Sequence, residues 1–312
     1  MNNDLFEKST LILGGNIKVP AGFTHPFADG KEDGSGTFML SFGGTRVYKN
    51  YSPVEGEFEL VATDDGYSLT HNGKPFIKKV ELVKRFSHAP NQANINIGKF
   101  ESDEALMRKL DELVATGTVE GISLSTGASN TDEDSIRVIE LMHNKYPSIP
   151  IGFSYRVVPK GRLQEFKDAG VTEYKLNVGS TADRLFSFYN PDQDYDTMMQ
   201  CYVDAVEVFG KGRVANSLFV GLGETEEEMR KSINDLASRG VLSDIKIKKV
   251  NDDNRAIIEA KVGPISPLTR EKLESFAIML KKAEEENGLD ANTYKTLCNA
   301  CRGCNLVPFM DY

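Results

Sequence analysis

The stretch Val214-Ala-Asn-Ser-Leu-Phe-Val220, followed by the turn Gly221-Leu-Gly-Glu224, decides the fold of this 312-residue chain. The apolar run has the length of a strand, and a helical pattern over residues 225–238 follows the turn, with Gly240 after it. A glycine just past the last periodic residue is typical of a helix C-terminus. Residues 244–248 then form a second strand pattern. Strand, helix and strand joined by short linkers predict a β/α unit with parallel strands.

The same alternation begins at residue 87 and occurs six times. We expect strands at residues 93–97, 121–125, 151–154, 173–177, 214–220 and 244–248. We expect helices at residues 103–115, 133–145, 162–169, 182–188, 196–209, 225–238 and 270–287. Repeated units of this kind are typical of α/β folds. The predicted fold class is therefore α/β, with a partial or complete (β/α) TIM-type barrel over residues 87–290.

Residues 1–86 have a different pattern, in which short strands alternate with glycine-rich turns. The turns include Gly43-Gly44, Asp64-Asp-Gly66 and Asn72-Gly73, which are typical of hairpins. The glycine pairs lack the spacing of a phosphate-binding loop. We predict a small antiparallel β-subdomain here, with no catalytic constellation of its own.

Charge and hydropathy exclude several classes of function. The net charge of −9 argues against a general nucleic-acid binder, since phosphate neutralisation requires a basic face. The chain has no apolar run of about 18 residues, so no membrane span is predicted. The N-terminus resembles neither a signal peptide nor a transit peptide. We expect a cytoplasmic protein that acts on a small molecule, with no nucleic-acid or membrane partner.

Three of the four cysteines lie within seven residues, in Cys298-Asn-Ala-Cys301-Arg-Gly-Cys304. This spacing lets each sulfur reach a different iron of a cluster, as in bacterial ferredoxin loops. Mononuclear zinc usually takes two separate ligand pairs, and the chain has no second pair. The pattern favours an iron–sulfur cluster bound by a tail of residues 291–312, with zinc or unligated thiols as alternatives. Cys201 lies in a helical pattern and is interpreted as a small buried hydrophobe, with a role as fourth cluster ligand as the alternative.

The loops that follow the predicted strands are the places where a barrel carries its site. Most are small or polar, although strand-to-helix loops have this composition in any such protein. After the third strand, Tyr155 and Arg156 are candidates for binding an anionic substrate. Lys246 and Lys248-Lys249 alternate at the end of the last strand, which is typical of a solvated face. One or two of these lysines are placed to reach a carboxylated substrate.

The turn Gly221-Leu-Gly-Glu224 resembles a motif of the radical S-adenosylmethionine (SAM) superfamily, in particular of the biotin and lipoyl synthase group. Residues 87–97, 121–129 and 174–186 are similar to the first, second and fourth barrel strands of that group. The resemblance covers residues 85–290 and implies a SAM site. The residues that it implies as SAM ligands are Ser125, Thr126, Gly127, Asn177, Ser180, Arg184, Gly221, Leu222, Gly223 and Glu224.

The chain departs from this family where the C-x₃-C-x₂-C loop is expected. Gly98-Lys-Phe-Glu101 follows the first strand and contains no cysteine. In one explanation, Cys298, Cys301 and Cys304 fold over the barrel mouth and ligate a [4Fe–4S] cluster. The thiamine pyrimidine synthase family, with its C-terminal cluster cysteines, shows that such a relocation is possible. In the other, the barrel has lost radical chemistry and the cysteines hold a structural or electron-relay metal. We favour the first.

The resemblance therefore implies a radical SAM enzyme of cofactor biosynthesis. An electron from a donor such as ferredoxin or flavodoxin would pass through the cluster to SAM, and the resulting 5′-deoxyadenosyl radical would take hydrogen from an unidentified substrate. No catalytic residue is identified. The alternatives are a non-catalytic radical-SAM-like barrel and an aldolase- or lyase-like barrel with Lys99 or Lys175 as a Schiff base.

Overall fold

The computed structural model describes residues 3–84, 89–127 and 130–312. Two seven-stranded sheets form the framework, one from the N-terminal part of the chain and one from the remainder. No helix in the described residues is both long enough and apolar enough to cross a membrane.

The N-terminal part begins with a helix, which the sequence pattern did not predict, and continues with seven strands. These elements are α1 (Asn3–Leu13), β1 (Ile17–Lys18), β2 (Asp29–Gly30), β3 (Gly36–Phe42), β4 (Thr45–Ser52), β5 (Phe58–Thr63), β6 (Gly66–His71) and β7 (Lys74–Leu82). The strand order is β2-β3-β4-β1-β5-β6-β7, and β3 also pairs with β7, so the sheet curls on itself. The pairs are antiparallel except those that β1 makes with β4 and β5. The sheet is thus mainly antiparallel, as expected for this part of the chain, while its division as a separate subdomain of residues 1–86 stays a prediction.

Turn chemistry and alternation explain this sheet. Asn72 and Gly73 join β6 to β7 with φ values of 50° and 74°, the left-handed pair that a tight hairpin requires. Along β3 and β4, alternate residues such as Phe38, Leu40 and Val47 are fully buried. The apolar face therefore encloses a core of its own, as expected for strands with one face covered.

The second sheet contains six parallel strands and one short antiparallel strand. The strands are β8 (Gln92–Asn96), β9 (Gly121–Ser125), β10 (Ile151–Ser154), β11 (Val171–Lys175), β12 (Val214–Val220), β13 (Leu242–Ile247) and β14 (Asn305–Leu306). They follow one another in space, and β14 pairs antiparallel with β13. Among the described residues β8 does not pair with β14, so the barrel is open. The predicted α/β fold with a partial barrel is confirmed.

Helices follow nearly every parallel strand. They are α2 (Asp103–Val114), α3 (Asp132–Lys145), α4 (Lys160–Ala169), α5 (Asp183–Tyr189), α6 (Tyr195–Phe209), α7 (Glu226–Ala237), α8 (Asp252–Val262), α9 (Arg270–Glu286) and α10 (Leu297–Cys301). The predicted helices are all present to within two residues at either end. The helices α8 and α10 and the strand β14 were not predicted.

The two faces of the second sheet differ in chemistry. On the outer face, Phe153 packs edge-on against Phe166 of α4, and Tyr174 stacks on Phe209 of α6. Their neighbours Ser154 and Lys175 point to the inner face, because successive side chains of a strand alternate. The inner face is therefore polar, while the outer face forms the core with the helices.

A buried ion pair holds the C-terminal tail against the N-terminal part. The Lys8 ammonium of α1 lies 2.8 Å from Asp311 Oδ2, and both side chains are fully buried. Thr45 of β4 donates to the other oxygen of Asp311 at 2.5 Å. Ser9 of α1 donates to Glu274 of α9 at 2.9 Å. Since breaking a buried pair costs about 3–5 kcal/mol, these contacts fix where the tail lies.

Candidate functional site

The C-terminal tail enters the open half-barrel along the inner face of its sheet. Gln92 of β8 donates to Lys295 O at 2.9 Å. Thr296 donates to Glu173 of β11 at 2.7 Å, and Leu297 N donates to Ser123 Oγ of β9 at 2.8 Å. Inward-facing polar side chains of three strands thus replace water as partners of the tail.

Two glycines make this path possible. A Cβ atom on Gly152 of β10 would overlap the Thr296 side chain, and one on Gly121 of β9 would lie 2.8 Å from Lys295 O. Glycine inside a strand commonly marks the close approach of another backbone. Glycine at these two positions therefore leaves the space that the tail needs where it crosses β9 and β10.

The tail then forms the single turn of α10 and brings its three cysteines to one cavity. The helix ends at Arg302, which has a left-handed φ of 59°, and Gly303 follows. The cavity has a volume of about 240 Å³. It is lined by Cys298, Cys301, Cys304, Leu297, Asn305, Asn94, Ser154, Lys175, Asn177, Ser217, Phe219 and Lys246. The trio thus lies inside the half-barrel, at the level of the strand ends.

A buried charge pair forms one wall of the cavity. Lys175 Nζ lies 2.9 Å from Asp244 Oδ2 and donates to Ser217 Oγ at 2.8 Å. Burial lowers the pKa of Lys175, but the charge of Asp244 and that of Cys298 outweigh burial, and the net pKa is raised. The side chain is therefore an ammonium, which is not the nucleophile that a Schiff base requires. This observation disfavours Lys175 as the Schiff base of an aldolase-like barrel.

The thiols of Cys301 and Cys304 are held in the protonated form unless a ligand displaces the proton. Burial, followed by the neighbouring Cys304, raises the pKa of Cys301 to about 12. The Cys304 thiol is exposed to solvent, yet the protein packed around it and the charge of Cys298 raise its pKa as well. Binding a metal to such thiols releases protons, so its affinity would increase with pH.

The cysteine cavity has space for a group of several atoms. Within the described ranges, no group of three or more His, Cys, Asp or Glu side chains is arranged to hold one metal ion. Zinc requires its ligands to converge on one point, whereas a [4Fe–4S] cluster distributes its thiolates over separate irons. The cavity of about 240 Å³ is far larger than one water requires, which is space for a group of several heavy atoms.

Ser125, Thr126 and Gly127, predicted as SAM ligands, lie at the carboxyl end of β9. Asn96 Nδ2 donates to Ser125 Oγ at 3.2 Å and to Thr126 O at 3.4 Å. Gly127 N donates to Asn130 Oδ1 at 2.8 Å. Their loop is thus tied to the end of β8. Ala128 and Ser129, like Ser87 and His88 of the first motif, lie outside the described residues.

Asn177 is the predicted ligand that shares the cavity with the cysteines. Its Oδ1 accepts a hydrogen bond from Ser217 N at 3.1 Å. The amide group is therefore held on the inner face beside Lys175, with its NH₂ group as the remaining donor.

Ser180 and Arg184 make contacts outside the cavity. Ser180 is 4% exposed and its hydroxyl lies 3.1 Å from Ser232 Oγ of α7. Arg184 forms a two-pronged pair with Glu228, at 3.1 and 2.9 Å, and donates to Val262 O at 2.5 Å. The guanidinium is already engaged by a carboxylate, so these contacts fasten α5 to α7 and α8.

The turn at residues 221–224 is closed by its own glutamate. Glu224 accepts hydrogen bonds from Gly221 N at 2.9 Å and Leu222 N at 2.8 Å, and its side chain is 2% exposed. A Cβ on Gly221, whose φ is 116°, would lie 2.6 Å from Lys248 O. Glycine is thus required both by the backbone angle and by the packing of β13.

Tyr155 and Arg156 converge on Asp132 rather than on the cysteine cavity. Both donate to Asp132 Oδ1 at 2.6 Å. Burial and the bond to Asp132 raise the pKa of Tyr155 to about 12. Cys201 is 3% exposed and its thiol lies 3.6 Å from Val158 O, as expected of a buried hydrophobe.

Sequence reasoning missed the polar inner layer, although a signal was present. The layer consists of alternate strand residues, namely Gln92, Asn94, Asn96, Ser123, Ser125, Glu173, Lys175, Asp244 and Lys246. Strands covered on both faces normally form continuous apolar runs. Polar residues at every second position of such strands therefore mark an inner face that contacts something polar.

Comparison with known proteins agrees with this architecture. Residues 84–236 match the family described as the Radical SAM superfamily. This chain carries a radical SAM domain. Biotin synthase of Saccharopolyspora erythraea is 25% identical over 116 residues, which cover 35% of this chain and 30% of that protein. Membership of the superfamily implies a [4Fe–4S] cluster and SAM as cofactors.

Solved structures give weaker likenesses to the radical SAM domain. HydG, a maturase of the [FeFe]-hydrogenase, is 15% identical with a TM-score of 0.48, over 62% of this chain and 50% of that one. A radical SAM methyltransferase from Sphaerobacter thermophilus is 11% identical with a TM-score of 0.44, over 84% and 74%. With TM-scores below 0.5, neither structure bears on the function of this chain.

Proposed function

We propose that this protein is a radical SAM enzyme of cofactor biosynthesis whose [4Fe–4S] cluster is ligated by Cys298, Cys301 and Cys304. One observation carries the proposal: the three tail thiols line one cavity inside the half-barrel of a radical SAM domain. The loop after β8, where the family expects its cysteines, contains none and forms a short 3₁₀ turn at Ile97–Lys99. The substrate is a small molecule, and a ferredoxin or flavodoxin would supply electrons.

Positive charges around the cavity suit thiolate ligands. The Lys175 ammonium lies next to Cys298, and the charges of Lys246 and Lys8 act on Cys304 in the direction that favours its thiolate. Inside a protein such charge interactions are several times stronger than in water. The surrounding lysines would thus offset part of the negative charge that three thiolates bring together.

The N-terminal sheet would hold the cysteine loop in shape. Tyr48 N donates to Gly303 O at 2.6 Å, and Arg302 donates to Gly44 O at 3.1 Å. Lys8 donates to Arg302 O at 2.7 Å. These bonds reach the two residues between the second and third cysteines. The N-terminal part is therefore proposed as the outer support of the cluster loop.

Ser125, Thr126, Gly127 and Asn177 are the residues that we propose to contact SAM. The first three lie at the mouth of the half-barrel, and Asn177 lines the cysteine cavity. For Ser180, Arg184 and residues 221–224 we propose a positioning role, because their polar groups are bonded to neighbouring elements. Bound together, the cluster and SAM supply a carbon-centred radical. The chain holds the reactants in place and limits the access of water.

The test compares Cys301→Ala with Cys201→Ala, the same substitution at a cysteine outside the cavity. Protein purified without oxygen should bind iron and absorb broadly at about 400 nm. We expect Cys301→Ala to lose this absorption and Cys201→Ala to keep it. On reduction with SAM, only the wild type and Cys201→Ala should release 5′-deoxyadenosine.

Other outcomes would contradict the proposal in distinct ways. Colourless protein with stoichiometric zinc would exclude the cluster. Equal loss of iron in both variants would show that iron binding does not depend specifically on Cys298, Cys301 and Cys304. Iron bound by the trio without release of 5′-deoxyadenosine would favour a structural or electron-relay site.

A further inference from the structure

A second cavity lies between the N-terminal sheet and the edge of the half-barrel. Its volume is about 360 Å³, and it is lined by the end of α1, by β4, by the end of β13 and by the cysteine loop. Lys246 and Cys304 line both this cavity and the cysteine cavity. The two spaces therefore adjoin at a cysteine that we assign to the cluster.

Three lysines line this second cavity. They are Lys49 of β4, Lys246 of β13 and Lys249 just beyond it. In the part of the chain that the structure describes, none of the three forms an ion pair with a carboxylate. Glu57 is the carboxylate whose charge reaches Lys49, but it is engaged by Gly15 N at 2.6 Å and by His71 at 2.9 Å.

Lys49 shows that this charge cluster is built into the fold. Its side chain is 7% exposed, and its Nζ donates to Leu11 O at 2.7 Å and Gly14 O at 2.9 Å. Carbonyl oxygens at the end of a helix stabilise an ammonium but carry only partial negative charge, so they do not fully offset its positive charge. Burial and the like charge of Lys249 lower the pKa of Lys49 to about 8. An anion in the cavity would remove this repulsion.

We propose that the second cavity binds the carboxylate or phosphate group of a small anionic molecule, with Lys49, Lys246 and Lys249 as its counter-charges. The anion site is inferred from these three lysines alone. The further inference that the bound anion is the substrate rests on the proposed function: if Cys304 ligates the cluster, the rest of the bound molecule lies beside the cluster. The substrate class would be an acid with a reactive carbon a short distance from its anionic group.

Calorimetric titration with succinate and with inorganic phosphate tests the site in the full-length protein. The matched variants are Lys249→Gln and Lys248→Gln, which remove the same charge at adjacent positions. Lys248 is exposed and does not line the cavity. Lys249→Gln should weaken binding about tenfold, the size of one charge-assisted hydrogen bond, and Lys248→Gln should change it little. Lys49→Met provides a second variant with the same expected direction.

The outcomes separate this inference from the proposed function. Saturating SAM should leave succinate binding unchanged, whereas competition would make the site a SAM site and overturn the assignment. Binding of neither anion, or equal weakening by Lys248→Gln and Lys249→Gln, would overturn the anion site even if 5′-deoxyadenosine is produced. Binding that depends on Lys249 in protein that never holds a cluster would keep the site and reject the radical chemistry.

Discussion

Two segments of this domain are candidates for the cluster loop, and they differ in the contacts that they make with the rest of the fold. The segment after β8, Gly98-Lys-Phe-Glu101, has no cysteine and packs through Gly98 against Gly127. Residues 295–304 instead lie along the inner face, bonded to β8, β9 and β11, and carry three thiols into one cavity. The difference teaches that the position of the proposed cluster loop depends on the surface that receives it, and here the polar inner face of the sheet is hydrogen-bonded to the tail.

The largest expected effect comes from the charge pair beneath the tail. Lys175→Met leaves Asp244, which is fully buried, without its counter-charge, and should lower the free energy of unfolding by about 3–5 kcal/mol. Urea unfolding measures the loss. As a control, Lys109→Met breaks an exposed pair with Glu112 and should cost under about 1 kcal/mol. Similar decreases in the free energy of unfolding in both variants would show that the buried pair contributes no more to stability than the exposed one.

A smaller effect is expected where the tail crosses β10. Gly152→Ala introduces a Cβ that overlaps Thr296, and overpacking of this kind costs about 1–3 kcal/mol. We also expect reduced iron content, since the tail must shift. Gly161→Ala in α4 is the matched control, because its Cβ would meet open space, and it should be neutral or slightly stabilising. Iron content that survives in Gly152→Ala would argue that the tail does not carry the cluster.

The smallest effect is expected in the segment after β8. Lys99 is exposed, and Lys99→Ala should change the free energy of unfolding by less than about 0.5 kcal/mol. Iron content and 5′-deoxyadenosine release should equal those of the wild type. If Lys99→Ala abolished activity while Cys301→Ala did not, the segment after β8, and not the tail, would be the functional one.

Most regular elements were predictable because strand–helix alternation and apolar periodicity are local. The exceptions have identifiable reasons. The helix α8 (Asp252–Val262) is preceded by its N-cap Asn251, whose side chain accepts a hydrogen bond from Asn254 N at 3.1 Å, and asparagine-rich segments are equally typical of turns. The strand β14 has two residues and exists because β13 offers an open edge. The cap of α8 is therefore ambiguous in a local window of sequence, and the pairing of β14 with β13 is not visible in one.

The three cysteines of the candidate site were recognisable in the sequence, but the residues around them were less so; their role as ligands stays a prediction. The spacing of Cys298, Cys301 and Cys304 was sufficient to identify the trio. Arg184 was predicted as a SAM ligand; its guanidinium pairs with Glu228, and the ligand role stays a prediction. Lys175 was considered only as a Schiff base, and its pairing with Asp244 depends on two strands that are 69 residues apart. Side-chain partners across such separations are set by register, which the sequence does not display.

The sequence by itself determined the α/β class, the order of strands and helices and the three-thiol motif, because each depends on residues close together in the chain. The tertiary structure decided where the tail lies, that two lysine-lined cavities meet at Cys304, and which polar residues are available to a ligand. These depend on contacts between distant segments, where burial and charge pairing select one arrangement among those that local patterns permit.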